Sequence, residues 1–141
     1  MLVLDTDHMS ALEWASGADY ERLNSRLEAL QDAEVCTTII SYEEQSRGWL
    51  AYVARARKIA QQIEAFRRLR RHLDAYRRIG VLDFDEPAAV QFQGILRLRL
   101  RIGTRDQQIA AIVLSRGAKL LTRNIDDFSQ IPGLDFEDWT S

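Results

Sequence analysis

Cysteine occurs once in the 141 residues, at Cys36. A single thiol excludes an internal disulfide framework and any cysteine-rich zinc site. It stands in the apolar run Val35-Cys36-Thr37-Thr38-Ile39-Ile40, a setting that predicts a buried, unreactive thiol. Histidine is nearly as scarce, with only His8 and His72. Nothing in the sequence brings a serine or cysteine beside either, so nucleophilic catalysis through histidine is not expected. His8, close after Asp5, is expected to make local hydrogen bonds. No apolar stretch approaches the roughly 18 residues a membrane helix needs. The opening Met1-Leu2-Val3-Leu4 reaches Asp5 too soon for a signal peptide. The expectation is a cytoplasmic chain with no membrane partner. Repeats, low-complexity tracts and linkers are also missing, so residues 1–141 are expected to form one domain.

Charge is abundant but segregated. The net charge is −2, yet nine Lys or Arg face only Glu64 and Asp74 between Arg55 and Arg78. That leaves ten basic and nineteen acidic residues for the rest of the chain. A basic limb on an acidic body is either a solvated helix face or a surface for a polyanion.

The apolar runs Leu2–Leu4, Val35–Ile40, Val81–Phe84 and Lys119–Thr122 read as short buried strands. Helices are expected over Met9–Trp14 and Tyr20–Leu30, with Gly17 between them. Ser41 is expected to open another. Between Gly48 and Ile79 there is neither Gly nor Pro, which predicts a helical hairpin or one long helix. Within it Ile59, Ile63, Phe66, Leu69, Leu73 and Tyr76 form one apolar stripe, with most of the arginines off it. Pro87 marks the first turn of a helix running to about Arg101, and another spans Thr104 to Gly117. A polar turn is expected at Asn124–Asp127. Strands alternating with helices imply an α/β fold with a mainly parallel sheet.

In such sheets ligands bind beyond the carboxyl ends of the strands. Asp5 follows the first strand, Glu44 lies in the first turn of the helix after the second, Asp106 starts the helix at Thr104, and Asn124 and Asp127 follow the fourth strand. Each also has a local explanation. Ser41-x-x-Glu44 and Thr104-x-x-Gln107 fit capping boxes, Asp106 suits a positive helix end, Asp5 is a possible cap, and Asp127 suits a turn. Convergence on one edge favours a shared site. Carboxylates a few ångströms apart raise one another's pKa unless a cation neutralises them. All-oxygen donors with few imidazoles favour Mg²⁺ or Mn²⁺ over zinc. One or two such ions activate water and offset charge on a phosphodiester, with no protein nucleophile required.

The sequence resembles the PIN-domain ribonucleases and, among them, the VapC-type toxins of type II toxin–antitoxin pairs. The stretches that carry the likeness are Leu4-Asp5-Thr6-Asp7-His8-Met9-Ser10, Ile40-Ser41-Tyr42-Glu43-Glu44-Gln45-Ser46-Arg47-Gly48, Ile102 to Ala111, Leu121-Thr122-Arg123-Asn124-Ile125-Asp126-Asp127-Phe128 and Ile131-Pro132-Gly133-Leu134. The resemblance implies a three-layer α/β/α fold and metal-binding acids at Asp5, Glu44 and Asp106. Glu43 points about 100° away from Glu44 on a helix, and the spacing to Gly48 favours Glu44. The fourth position holds Asn124 where the family's most acidic version has Asp, leaving open whether Asn124 or Asp127 completes the site. The resemblance further implies an RNA substrate, a neutralising antitoxin and homodimerisation. For RNA, cationic arms must offset an acidic pocket; Arg67, Arg68, Arg70 and Arg71, with Arg97, Arg99 and Arg101, are the candidates.

Two other readings compete. Asp5-Thr6-Asp7 resembles the DxD of haloacid-dehalogenase-like phosphatases, with Thr38, Lys119 and Asp126–Asp127 as further parts, but Glu44 and Asp106 then have no role. A non-catalytic PIN fold that binds RNA or a partner is the other.

Overall fold

Side-chain alternation in three-residue strands decides which layer each residue supports. In the computed structural model, which describes residues 1–141, β1 spans Leu2–Leu4. Its Val3 enters one apolar cluster while Leu2 and Leu4 enter another, on the opposite face. The other strands are β2 (Val35–Thr38), β3 (Gly80–Leu82), β4 (Lys119–Leu121) and β5 (Asp135–Glu137). They form one sheet in the order β3-β2-β1-β4-β5, and every pairing is parallel. β5 extends the sheet by a strand the sequence reading missed, because Asp135-Phe136-Glu137 has one apolar residue and forms an edge.

Seven segments of sequence become helices of unequal length: α1 (Thr6–Trp14), α2 (Ala18–Glu28), α3 (Ile39–Arg55), α4 (Ile59–Arg77), α5 (Glu86–Arg97), α6 (Thr104–Ser115) and α7 (Ile125–Phe128). Helix α5, expected to run to about Arg101, stops at Arg97, and Arg99 adopts φ +52°. The larger cluster lies on one side of the sheet and is built mainly from α5, α6 and the residues after α7, with Ile109 to Val113 almost wholly buried. The smaller one joins Met9 of α1, Leu23 of α2, Tyr76 of α4 and Trp139 on the other side. The result is the three-layer α/β/α arrangement expected from sequence.

Several boundaries moved for local reasons. Helix α3 begins at Ile39, because the Thr38 hydroxyl accepts from the Ser41 amide at 3.1 Å and caps it. Ile39 and Ile40 are therefore helical, and Ser41 is inside the first turn. Glu44 lies in the second turn and caps nothing. Gly103, not Thr104, is the N-cap of α6, and Gln107 donates to the Ile102 carbonyl instead of closing a box. The expected polar turn at Asn124–Asp127 is the start of the short helix α7. The basic limb is a hairpin: α3 ends at Arg55, and the Gln61 side chain accepts from the amides of Arg57 and Lys58 where α4 starts.

Most of the apolar stripe on α4 faces outward. Ile59, Ile63, Phe66 and Leu73 are exposed, whereas Ala65, His72 and Tyr76 face the protein. His72 was expected to lack a serine neighbour, and here the structure corrects the sequence reading. Its Nε2 is 2.8 Å from Ser46 Oγ and its Nδ1 is 2.9 Å from Glu13 Oε1. The three residues belong to α3, α4 and α1. Ser46 is in a helix interior, where neighbouring amides are committed to the helix and none is free to stabilise an oxyanion. The trio pins three helices together. Tyr76 reinforces it by donating to Gln45 Oε1 while Gln45 Nε2 donates to Ser10 Oγ.

Ile112 is fully buried at the middle of α6. Ile112→Ala is expected to lower unfolding free energy by about 2–5 kcal/mol, read from the urea midpoint; a loss under about 1 kcal/mol would mean that this core collapses around the cavity.

Candidate active site at the β1–β4 crevice

The connection leaving β1 runs to β2, and the one leaving β4 runs away to β5 on the other side. Beyond the carboxyl ends of β1 and β4 the chain therefore diverges and leaves a crevice. Asp5 immediately follows β1, and Thr122-Arg123-Asn124 follows β4.

Asp5 is the N-cap of α1 and only 5% exposed. Its Oδ1 accepts from the Thr6 amide at 2.8 Å and its Oδ2 from the Thr122 hydroxyl at 2.7 Å. Burial, followed by the charge of Asp7, pushes its carboxyl up to about 7 in spite of these bonds. Asp106 is the third residue of α6 and half-buried. Burial raises it too, then the charges of Glu44 and Asp127, against a hydrogen bond from Asn124. Glu44, on α3, is partly exposed and faces this group.

Asn124 sits among the acids. Its amide nitrogen donates to Asp106 Oδ2 at 3.2 Å and to Asp127 Oδ2 at 3.0 Å. Only the NH₂ edge can satisfy two carboxylates, so Asn124 acts here as a neutral clamp between like charges. Its backbone amide donates to Thr122 Oγ1 at 3.0 Å. Thr122 thus links Asp5 to the Asn124 clamp, and all five expected site residues gather at one end of the sheet.

Two participants escaped the sequence reading. Thr122 is a buried polar residue at the end of a strand; its place in the Thr-Arg-Asn run was the available signal. Asp7 enters the sequence reading only within the Leu4–Ser10 stretch and a phosphatase-like DxD, with no place among the site acids, but here it is the neighbouring charge that acts most strongly on Asp5. Glu43 is committed elsewhere, holding Arg47 at 3.0 Å and Arg105 of α6 at 3.0 Å. The phosphatase reading loses its lysine: Lys119 starts β4, at the opposite end of the strands from Asp5, and pairs with Glu137 at 3.4 Å.

No three His, Cys, Asp or Glu side chains close around a point tightly enough to enclose an ion by themselves. The donors are nevertheless all oxygen, and two of the acids are raised by burial and mutual repulsion. That set suits a hard divalent cation that keeps part of its water shell.

The arginines divide into two groups. Arg67, Arg70, Arg71 and Arg78 rim a cleft of about 680 Å³ floored by Met9, Leu12, Val35 and Ile79. It lies toward the C-terminal end of α1, whereas Asp5 caps the other end. Arg67 pairs with Glu64 and Arg70 with Asp74, while Arg68 stacks on Trp14 at 4.6 Å. Arg97, Arg99 and Arg101 are exposed, free of ion pairs, and lead into the α6 turn that carries Asp106.

The PIN domain family model matches residues 2–134. Over 67 residues the chain is 40% identical to a tRNA(fMet)-specific endonuclease VapC of Salmonella typhimurium, a match covering 44% of this chain and 50% of that protein. The chain thus spans about half the length of the curated relatives it matches. Its fold is similar to DNA-bound VapBC from Salmonella typhimurium, with TM-score 0.73, 27% identity and coverage of 98% of this chain and 97% of that one. It is similar also to VapBC-1 from nontypeable Haemophilus influenzae, with TM-score 0.77, 21% identity and coverage of 99% and 98%.

The raised carboxyl of Asp5 has a consequence for stability. Between its ordinary 3.8 and about 7 the folded protein holds a proton there that the unfolded chain releases, so stability from this group falls as pH rises through that window. In EDTA, Asp5→Asn is expected to melt higher than the unsubstituted protein at pH 8, with the gap closing toward pH 4.5. A melting-temperature difference that stays constant over that range would contradict the buried, mutually repelling site.

Proposed function

This chain belongs to the PIN-domain family, and from that premise we propose that it is a metal-dependent endoribonuclease, the toxin of a toxin–antitoxin pair. The observation that carries the reading is the gathering of Asp5, Glu44, Asp106 and Asp127 at the β1–β4 crevice, with only neutral donors between them. Such a cluster is costly without a cation.

Asp5, Asp106 and Glu44 are the residues that would hold Mg²⁺ or Mn²⁺. A bound ion of this kind supplies an activated water and offsets charge on the phosphodiester. The protein's own groups prepare that chemistry. Thr122 fixes the direction of one Asp5 oxygen, and Asn124 holds Asp106 and Asp127 apart at a set distance. The Glu43–Arg105 pair ties α3 to α6 and so fixes Glu44 relative to Asp106. No serine, cysteine or histidine nucleophile is needed.

RNA brings phosphates toward an acidic edge, so cations must flank it. Arg97, Arg99 and Arg101 suit that role best, being unpaired and close in the chain to Asp106. Arg67, Arg70 and Arg71 are the second group, at the cleft beside α1, and Arg68 is engaged with aromatic rings. The named relatives act on tRNA(fMet), and a structured RNA is the substrate class proposed here. A partner protein fits the same molecule. Leu50, Ile59, Ile63, Phe66 and Leu73 are exposed on the α3–α4 hairpin and suit an antitoxin's apolar face. Val90 and Leu96 on α5, with Leu98 just after it, are further exposed apolar residues, suited to a homodimer.

Purified protein, free of any partner, is expected to make discrete cuts in an RNA pool in Mg²⁺ or Mn²⁺ and none in EDTA. Asp106→Asn should remove cleavage, by at least about 100-fold, without altering the circular dichroism spectrum. Wild-type activity in that variant would sink the site assignment. RNA bound without any metal-dependent cut would favour the non-catalytic reading.

Arg99→Ala with Arg101→Ala should weaken RNA binding and reduce the salt slope by about 1–2. Arg70→Ala with Arg71→Ala should have a smaller effect. An unchanged slope in both pairs would assign the arginines to a protein partner.

A further inference from the structure

Beside the five expected residues, the crevice holds an acid that comes with its own supporting structure. Asp7 lies in the first turn of α1, its side chain 28% exposed. Its Oδ2 accepts from the Arg123 amide at 3.0 Å. Thr122 Oγ1 is 3.4 Å away, but that hydroxyl has one proton and directs it to Asp5 at 2.7 Å. The Oδ1 of Asp7 is 2.6 Å from Nδ1 of His8. Each oxygen thus has one protein donor and keeps a lone pair for another ligand.

His8 is wholly buried, and its state follows from its second partner. Nε2 lies 3.1 Å from the backbone nitrogen of Trp139, a group that can only donate. Nε2 is therefore the acceptor, and the ring proton sits on Nδ1, directed at Asp7. The segment that supplies this amide is itself fastened. Asp138 Oδ1 accepts from the amide and hydroxyl of Thr140, Arg22 donates to the Thr140 carbonyl at 2.6 Å, and Arg26 stacks over Trp139 at 4.3 Å. Residues 138–140 lie outside the stretch that the family model covers, yet they set the tautomer of a side chain bonded to the crevice.

We propose that Asp7 is a further metal-holding carboxylate of this site, and that His8, oriented by the Trp139 amide, is its positioning residue. The inference rests on the metal-dependent reading above. A cap or helix-dipole role for Asp7 would need neither a buried imidazole of fixed tautomer nor a strap to fix it. A donor on the far side of a carboxylate in this way sets the direction of its lone pairs.

The test is calorimetric titration of the full chain with Mn²⁺, alongside thermal melting, which reads metal binding without cleavage. Asp7→Asn is expected to weaken Mn²⁺ binding by about 10-fold or more while the protein stays folded. His8→Asn keeps a donor for Asp7 but loses the Trp139 contact that orients it, and should weaken Mn²⁺ binding by about threefold, less than His8→Gln does. His8→Gln keeps the acceptor near Trp139 and loses the donor, and should weaken binding by about 10-fold. Equal affinities in His8→Asn and His8→Gln would overturn the positioning role, whatever their melting temperatures. Asp7→Asn binding as tightly as the unsubstituted protein, with Asp106→Asn impaired, would overturn the role of Asp7 alone. Failure of the unsubstituted chain to bind Mn²⁺ would overturn the metal-dependent reading, and this inference with it.

Discussion

The repulsion among carboxylates at the β1–β4 crevice is the constraint around which this molecule is arranged. Asp5 is almost fully buried beside Asp7, and Asp106 faces Glu44 and Asp127. Left alone, such a group would push apart the elements that carry it. It is held by donors that add no charge: the Thr122 hydroxyl, the Asn124 amide and the N-terminal turns of α1 and α6. The core supplies the rest. Ile109 to Val113 anchor the helix that presents Asp106, and the buried strands fix Asp5 and Thr122 side by side.

Polar groups are used in two ways. At the crevice they stay partly open to solvent and to a ligand. On the α1, α3 and α4 side the Glu13–His72–Ser46 chain is closed and buried, and it replaces apolar packing between three helices. That substitution explains why α4 turns His72 and Tyr76 inward and leaves Ile59, Ile63, Phe66 and Leu73 outside. A helix whose inward face is satisfied within the chain while its apolar outer face is not is suited to a second protein.

The arginines show how composition and geometry divide the work. Charge segregation in the sequence marks α4 as the basic limb, but Arg67, Arg68, Arg70 and Arg77 are tied on the helix itself to Glu64 and Asp74. Exposed pairs of this kind stabilise little and remain available to a polyanion at modest cost. The unpaired arginines after α5 owe their position to the early end of that helix at Arg97.

By itself the sequence determined the element types, the parallel sheet and the residues at the strand ends, because short apolar runs, turn signals and acidic motifs are local patterns. It also marked Asp5, Glu44 and Asp106 as candidates, through the family-like stretches that carry them. Only the tertiary structure decided how these groups act on one another. The Asn124 clamp depends on where α6 meets α7, and the His72–Ser46 contact depends on how α3 packs on α4. Likewise His8 receives its tautomer from an amide 131 residues away in the chain. The edge strand β5 carries almost no apolar pattern and exists because β4 offers a free ladder. Contacts between distant segments leave no period in a single sequence, and packing alone selects them.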